Sequence, residues 1–427
     1  MGITNLYRFR NNKSYIKTVF SVSGESNTLE NDSLNNNYSK IITHNEKFTY
    51  TSARLSTMFN HKFNSKNFIR TGLIYGISGF DINMEGVDWN NNMQWRNWIN
   101  SSGNTSILQT YMQWQHRFTD KIELNSGLHF LHFALNNNNS IEPRLGLKFN
   151  ISALHSIQLG FGIHSKVESI SNYMIETKDL AGNLYVPNKN LDFTKSTHYI
   201  VGYHYQINES MRFKAEIYYQ YLYDVPVSSD SGSILSALNF NEGIADIPLV
   251  NKGKGYNYGL ELTLEKFLSN HYYFLFTSSL FDSKFKTMDG KWRNTYFNNS
   301  FVFNLLAGKD FVFGSNKNKT FSINAKLLWK GGNRFIPINL QASNIKGYAV
   351  YNINNAYNER IADYYRFDLG LKYRKDHKNF AWIISLDIQN VTSRQNLYGQ
   401  YYDAYAKKIA YSYHLGMLPI LNFRIEF

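Results

Sequence analysis

The sequence predicts an all-β fold and, within that class, an antiparallel barrel whose strands cross a bilayer. Three observations carry this expectation. Apolar and polar residues alternate with period two in about 16 segments spread over 427 residues. The connections between segments are short after every second strand and mostly long after the others. The strands leading into the short connections finish on an aromatic residue.

Composition agrees with strands. The chain carries 32 Tyr and 31 Phe, both of which favour β-structure, and only 6 Pro. With no cysteine there is no disulfide framework, thiolate metal site or Cys nucleophile. The net charge of +13 suits either an anionic partner or a basic surface with no dedicated partner. The charges never gather into a dense Lys/Arg run, so no nucleic-acid partner is expected. No stretch approaches the roughly 20 apolar residues of a membrane helix, and the first residues, "MGITNLYRFRNNKSY", lack the apolar core of a signal peptide.

The alternation is read directly from the segments. "IEPRLGLKFN" sets Ile141, Leu145, Leu147 and Phe149 against Glu142, Arg144, Gly146 and Lys148. "MRFKAEIYYQY" sets Phe213, Ala215, Ile217, Tyr219 and Tyr221 against Arg212, Lys214, Glu216 and Gln220. "YGLELTLE" sets Leu260, Leu262 and Leu264 against Glu261, Thr263 and Glu265. "RFDLGLKYR" separates Phe367, Leu369, Leu371 and Tyr373 from Arg366, Asp368 and Lys372, and "WIISLDIQ" separates Ile384, Leu386 and Ile388 from Asp387. The tail "LPILNFRIEF" separates Leu421, Phe423, Ile425 and Phe427 from Arg424 and Glu426.

Counting from Ser14–Gly24 as the first strand, the connections after even strands are tight: "NSK", "TDK", "ALHS", "NES", "LSNH" and "KDHK". Those after odd strands are mostly long: 25–46, 81–105, 167–194, 224–251, 283–297, 331–362 and 392–416. This is the asymmetry of a transmembrane barrel, with short periplasmic turns and long extracellular loops. Even strands then run toward the periplasm. Phe63, Phe118, Phe149, Tyr205, Tyr373 and Phe427, joined by Phe423, form the girdle at that interface. Phe267 falls out of step, and the strand ending at Phe313 is ambiguous because Lys309 interrupts one face.

The physical reason for closure is that lipid offers no hydrogen-bond partners, so only a sheet wrapped on itself can span. Lipid then meets alternate residues only. The other alternates are expected to line a wet lumen: Arg144, Lys148, His198, His204, Arg212, Lys214, Glu216, Glu261, Glu265, Arg366, Asp368, Lys372, Asp387, Arg424 and Glu426.

Several long stretches resemble a known family. "PNKNLDFTKSTHYIVGYHYQINESMRFKAEIYYQYLYDVPV", "NKGKGYNYGLELTLEKFLSNHYYFLFTSSLFDSKFK", "WRNTYFNNSFVFNLLAGKDF" and the tail from "SLDIQNVTSRQNLYGQYYD" to "LPILNFRIEF" are similar to the barrel of TonB-dependent outer-membrane receptors. The type resembled usually carries an N-terminal carboxypeptidase-regulatory-like domain. The resemblance implies a Gram-negative outer-membrane location, a 22-stranded barrel, uptake of a nutrient ligand energised through TonB, and a terminal strand read by the outer-membrane assembly machinery. Such receptors also have a signal peptide, a TonB box and a plug domain. None of these is visible, so residues 1–427 are expected to be the C-terminal barrel portion, with about six strands and the plug lying outside it.

No catalytic, metal or cofactor site is expected. His129 and His132 form H-x-x-H, but on a strand an offset of three points the rings to opposite faces. Trp89, Trp95 and Trp98 in "VDWNNNMQWRNWIN", and Tyr398, Tyr401 and Tyr402 in "QNLYGQYYDAY", are candidate ligand-loop aromatics; packing of the loops themselves is the other reading. Three functions stay open: an energised receptor barrel, a plug-less porin-like channel, and a soluble all-β protein binding carbohydrate or nucleic acid.

Overall fold

A computed structural model of the chain describes residues 1–34, 37–88, 93–179, 181–240 and 247–427. Its main sheet has 18 strands, one of which (Trp292–Asn294) only extends a neighbour's outer end. The remaining 17 form one antiparallel meander: β1 (Gly2–Arg8), β2 (Ser14–Leu34), β3 (Lys40–Lys62), β4 (Asn67–Asp88), β5 (Gln94–Arg117), β6 (Ile122–Phe133), β7 (Asn138–Asn150), β8 (His155–Lys166), β9 (Thr194–Asn208), β10 (Met211–Ser228), β11 (Leu249–Ser269), β12 (Tyr272–Lys286), β13 (Phe301–Phe313), β14 (Lys319–Lys330), β15 (Tyr364–Asp376), β16 (Ala381–Gln389) and β17 (Leu418–Glu426). Each pairs with its successor in the chain. Among the described residues no register joins β1 to β17.

Two sequence expectations change. Gly2–Arg8 is a strand ahead of the first one counted from the sequence, so five rather than six strands separate this sheet from 22. Its alternation is weak because Asn5 shares a face with Ile3 and Tyr7, while Leu6 sits on the other with Arg8. The connections 25–46 and 81–105 are mostly strand: β2 and β3 stay paired out to Leu34↔Lys40, and β4 and β5 to Asp88↔Gln94. These extensions rise beyond the length a bilayer requires, so their faces need not keep the lipid alternation.

The registers assemble an apolar outer surface. Leu147, Leu159, Val201, Ile217, Leu260, Leu280 and Phe301 stand side by side across seven successive strands. Several are largely uncovered: Leu159 46%, Val201 51%, Ile217 61% and Leu280 44% exposed. A continuous apolar belt of this kind is a liability in water and the expected surface in lipid. Lys309 lies on this outer face next to the turn at Asn270–His271, with its ammonium 5.2 Å from the Phe311 ring centroid. It reaches the interface along an aromatic neighbour, which resolves the ambiguity of its strand, and Phe313 keeps the outer parity.

The tight turns share a chemistry. Asn11 Oδ1 accepts from Lys13 N and Ser14 N, Asn64 Oδ1 from Lys66 N and Asn67 N, Thr119 Oγ1 from Lys121 N and Ile122 N, and Ser152 Oγ from Leu154 N and His155 N. Short polar side chains thus satisfy the turn's own backbone, which is why these residue types recur there. Asn270 and His271 both adopt positive φ, 54° and 65°, in a two-residue turn. The Lys266 ammonium caps its carbonyls at Ser269 (2.9 Å) and Tyr272 (3.3 Å). Phe267 keeps the inner parity of Glu265 and lies over the guanidinium of Arg212, 4.9 Å away, so it stands outside the girdle.

At the opposite end the long connections fold inward. Segment 167–193, with its short helix α1 (Ile170–Tyr173), packs Tyr173, Ile175, Leu191 and Phe193 against Phe80, Ile82, Ile99, Leu131 and Phe133 of β4, β5 and β6. These strand residues share the parity of Arg70, Gln109 and His129, so the apolar core sits on the inner face above the polar wall. Full burial of each such side chain contributes about 1.5–3 kcal/mol, enough to hold the loops as folded structure.

Candidate functional site

The inner wall is built by strand parity. His129 faces Glu142 across β6 and β7, and Glu142 is 2% exposed. Its carboxylate accepts from Arg144 Nη2 at 2.8 Å and from Ser165 N at 3.1 Å, and it lies 2.9 Å from His129 Nδ1; the other ring nitrogen of His129 lies 3.2 Å from Gln109 Oε1. Both oxygens of the buried charge thus meet a donor, Oε2 from Arg144 and Oε1 from Ser165, the condition under which such burial is tolerated.

The wall continues as a polar row. The His164 and His198 rings lie 4.7 Å apart, and Ser196 Oγ is 2.7 Å from His198 Nε2. Gln220 reaches His198, Asn257 Nδ2 donates to Gln220 Oε1 (3.1 Å), and Ser283 Oγ donates to Asn257 Oδ1 (2.6 Å). Gln109, Asn257 and Ser283 are absent from the sequence reading; Gln220 is set there on a polar face and His129 is weighed only as half of an H-x-x-H, neither as a lumen residue. Parity alone could have included them; the reading favoured charged residues.

The other candidate lumen residues share this face. Arg212 pairs with Glu265 (2.6 Å), Arg366 with Asp368 (2.6 Å), and Arg424 with Glu426 (2.9 Å), which also holds Arg374 (2.6 Å). Asp387 stands opposite Gly370, beside Lys372 opposite Ser385. Glu216 stands opposite Glu261, and His204 opposite Lys214. Lys148 faces Gln158. His132 is on the outer face, its Nδ1 2.9 Å from Asn139 Oδ1, so the H-x-x-H histidines are split as strand geometry requires. Among the described residues no cluster of His, Cys, Asp and Glu could hold a metal ion, and no helix is long and apolar enough to cross a membrane.

On the outer face, at the turn end, Phe63 stands edge-on to His61 (4.3 Å), Phe118 to His116 (4.5 Å), and Tyr205 stacks on His155 (4.4 Å). Tyr373 lies 5.2 Å from Trp382 and 6.2 Å from Phe313. Phe149 and Phe423 are exposed on the same face, and Phe427 follows Ile425 in its parity.

The loop aromatics divide. Trp98 is 8% exposed and belongs to the apolar core, with Arg96 stacked 5.6 Å from its ring. Trp95 is exposed, and Trp89 lies outside the described residues. Segment 392–416 is not an irregular loop: Leu397–Asp403 and Lys408–Tyr413 form a hairpin. Tyr398 and Tyr401 are exposed on it; Tyr398 stands edge-on to His414 (5.1 Å), and Tyr402 Oη donates to Asn344 Oδ1 (2.9 Å) on helix α2 (Leu340–Lys346). In the loop after β12, Arg293 grips Asp289 through both terminal nitrogens (3.0 and 2.5 Å), and this holds the carboxyl well below the usual carboxylate range. Burial pushes the Tyr173 hydroxyl up to about 12.

The chain matches the family described as TonB dependent receptor-like, beta-barrel, over residues 2–391. No curated protein matches it. Among solved structures it is similar to the ferric yersiniabactin uptake receptor FyuA from Yersinia pestis, at 13% identity and a TM-score of 0.70, covering 100% of this chain and 60% of that one. It is also similar to the pyoverdine outer membrane receptor FpvA from Pseudomonas aeruginosa PAO1 (13%, TM-score 0.68, 99% and 60%). A third is BauA, the ferric preacinetobactin receptor from Acinetobacter baumannii (11%, TM-score 0.66, 100% and 62%). The chain therefore spans about three-fifths of the length of these receptors, and at such identities the likeness concerns the fold. With its alternating faces, tight turns and outward apolar belt, the chain belongs to the TonB-dependent receptor-like β-barrel family of the Gram-negative outer membrane.

Proposed function

We propose that the chain forms the wall of an outer-membrane importer that takes up a scarce nutrient under TonB-linked energy, rather than an enzyme. The observation that carries this reading is the two-ended construction. Strands turn tightly at one end, while at the other, long segments fold into apolar cores and a tyrosine-bearing hairpin above a polar wall. Passive pores share the asymmetry of short turns and long loops; the apolar packing of the outer segments over the inner wall, with the family match over residues 2–391, favours an importer. The ligand class we favour is a metal chelate, as named for FyuA, FpvA and BauA.

In this reading Trp95, Tyr398, Tyr401 and Tyr402 meet the ligand first, and the charged inner wall, from Arg144 to Glu426, faces whatever fills the lumen. Gating and coupling fall to a plug and a TonB-binding segment, with residues 1–427 acting as barrel alone. The N-terminal domain type we favour is carboxypeptidase-regulatory-like. The terminal strand with Phe423 and Phe427 serves recognition by the assembly machinery, and the Phe63, Phe118, Phe149, Tyr205 and Tyr373 girdle anchors the barrel in outer-membrane lipid.

The test is uptake of a panel of ⁵⁵Fe-labelled chelates by cells with and without the gene encoding this chain. Loss of one chelate's uptake on deletion, and equally on collapse of the inner-membrane proton gradient, is expected. Uptake that survives the collapse, together with solute flux through the purified chain in swelling liposomes, overturns the reading in favour of a porin-like channel.

A further inference from the structure

We propose that the inner wall carries an oxyanion site near its tight-turn end, formed by Lys148, Lys214 and His204 around a cavity of about 220 Å³. The registers bring the parts together. His204 on β9 stands directly opposite Lys214 on β10 and opposite Ser156 on β8. Lys148 on β7 faces Gln158, one inner-facing position further along β8 from Ser156. Lys148, Ser156, His204 and Lys214 line the cavity, together with Arg212.

What marks the place is that two lysines without an ion pair border one cavity, whereas Lys372 and Lys326 elsewhere on the wall stand apart from it. Elsewhere on this wall Arg144, Arg366, Arg374 and Arg424 each touch a carboxylate, and Arg212 itself is committed to Glu265. Lys148 and Lys214 make no hydrogen bond or ion pair among the described residues. The Nε2 atom of His204 is buried and has no partner. The charges of Lys214, Lys148 and Arg212 all act on the His204 ring, against Glu216 alone of opposite sign. Glu216 lies over the bare backbone of Gly202, where an added Cβ would stand 3.5 Å from its Oε1, and reaches neither lysine. Glu123 on β6 stands opposite Lys148, but its carboxylate holds Arg117 (3.0 Å) and it does not line the cavity, so two lysines and a ring nitrogen border a hollow whose lining has no carboxylate. A buried or half-buried polar group left in this state costs free energy that a ligand can recover.

The chemistry that fits is a single oxyanion head. Lysine binds phosphate as a point charge, and an imidazole N–H and a serine hydroxyl add directed donors. A volume of about 220 Å³ admits a tetrahedral oxyanion with a few waters, each taking about 30 Å³. It is too small for a whole nutrient chelate, so the site takes an anionic group or a free ion. The inference uses only the wall geometry and does not rest on the uptake reading.

The experiment titrates the full chain, folded in detergent micelles, with sodium phosphate, sodium sulfate and sodium acetate, each at ionic strength fixed by sodium chloride, followed by calorimetry. Saturable one-site binding is expected. Phosphate and sulfate binding without acetate assigns a tetrahedral head group, and equal acetate binding assigns a carboxylate. Lys148→Gln and Lys214→Gln should each weaken binding on the order of tenfold, as expected for loss of one charge-assisted contact, and the double variant should abolish it. Glu216→Gln should tighten it by removing the opposing charge. Absence of saturable binding for all three anions, wild-type binding in a double variant whose circular dichroism is unchanged, or weaker binding in Glu216→Gln overturns the proposal.

Discussion

Adjacent residues on one strand should respond oppositely to the same substitution. Ile217 and Glu216 are neighbours on β10. Ile217 belongs to the outer apolar row between Val201 and Leu260, and Glu216 stands on the inner face opposite Glu261. Six residues separate Ile217 from the tight-turn end at Met211. At about 3.4 Å per residue and a tilt near 45°, that places it roughly 14 Å along the membrane normal, close to the middle of an apolar band about 25 Å tall. Arginine at that depth on a lipid face costs about 2–4 kcal/mol. Ile217 leaves 61% of its surface for lipid, so its removal forfeits a further 1–2 kcal/mol or about three-fifths of a full burial. Ile217→Arg should therefore cost about 3–6 kcal/mol. Glu216→Arg places a cation opposite Glu261, where like charges now face each other, and should change stability by less than about 1 kcal/mol in either direction. Urea unfolding of the chain in lipid vesicles, read by tryptophan fluorescence, gives both values. Equal penalties, or a larger one for Glu216→Arg, would mean the faces are reversed or that both are dry, and the membrane assignment would fall with them.

Three further outcomes follow from the inner wall and the loops. Glu142→Ala leaves the half-exposed Arg144 to water but strands the half-buried His129 ring and the Ser165 N–H, and should cost about 1–3 kcal/mol in the same assay, as for buried donors that lose their acceptor. Gly332→Ala would put a Cβ 1.8 Å from the Ile361 carbonyl oxygen, which cannot give way; limited proteolysis should show the 331–362 connection newly cut while the strands stay intact. The Asp289 carboxyl is depressed in the folded state by Arg293, so its stabilising effect is fully present above the unfolded value near 3.8 and is lost as pH falls through the lower folded value. Protection factors of amides in residues 287–294, corrected for the intrinsic pH dependence of exchange, should accordingly be unchanged from pH 7 to pH 5 and fall only in strong acid, whereas Asp289→Asn should be less protected at every pH.

The wall was legible from the sequence because period two is a local property. Each spanning strand declares its two faces within ten residues, and Leu369/Leu371 against Asp368/Lys372 needed no tertiary context. Departures arise where lipid stops acting. β1 was missed because Leu6 and Asn5 blur its faces. The extensions of β2 to β5 read as loops because strands standing clear of the bilayer need not alternate: Glu25, Asn27, Glu30 and Asp32 fall on both faces of β2. Trp98 could not be assigned because its burial depends on Tyr173 and Ile175, some 75 residues away in sequence and brought over the wall by a fold that periodicity does not encode. That Phe267 is out of step was plain from alternation, since it shares the parity of Glu265; what the sequence did not show is that it lies over Arg212 while Lys266 turns back to cap the turn.

Strand direction adds a constraint on how the sheet can close. In an antiparallel meander alternate strands share a direction, so β1 and β17, the first and the seventeenth, run the same way. Pairing them directly would make one parallel ladder in an otherwise antiparallel wall. A second copy inserted in the same orientation offers the same direction at both of its edges and meets the same obstacle. An antiparallel closure therefore needs an odd number of strands between the open edge of β1 and that of β17. Five strands, the number that separates these 17 from the 22 implied by the family resemblance, satisfy that parity, just as six do for the 16 strands counted from the sequence. Facing adds a further requirement: the inserted strand beside β1 must present an apolar flank next to Ile3 and Tyr7, and the one beside β17 next to Leu421, Phe423 and Ile425, because a shift of one residue would carry polar side chains into the lipid row.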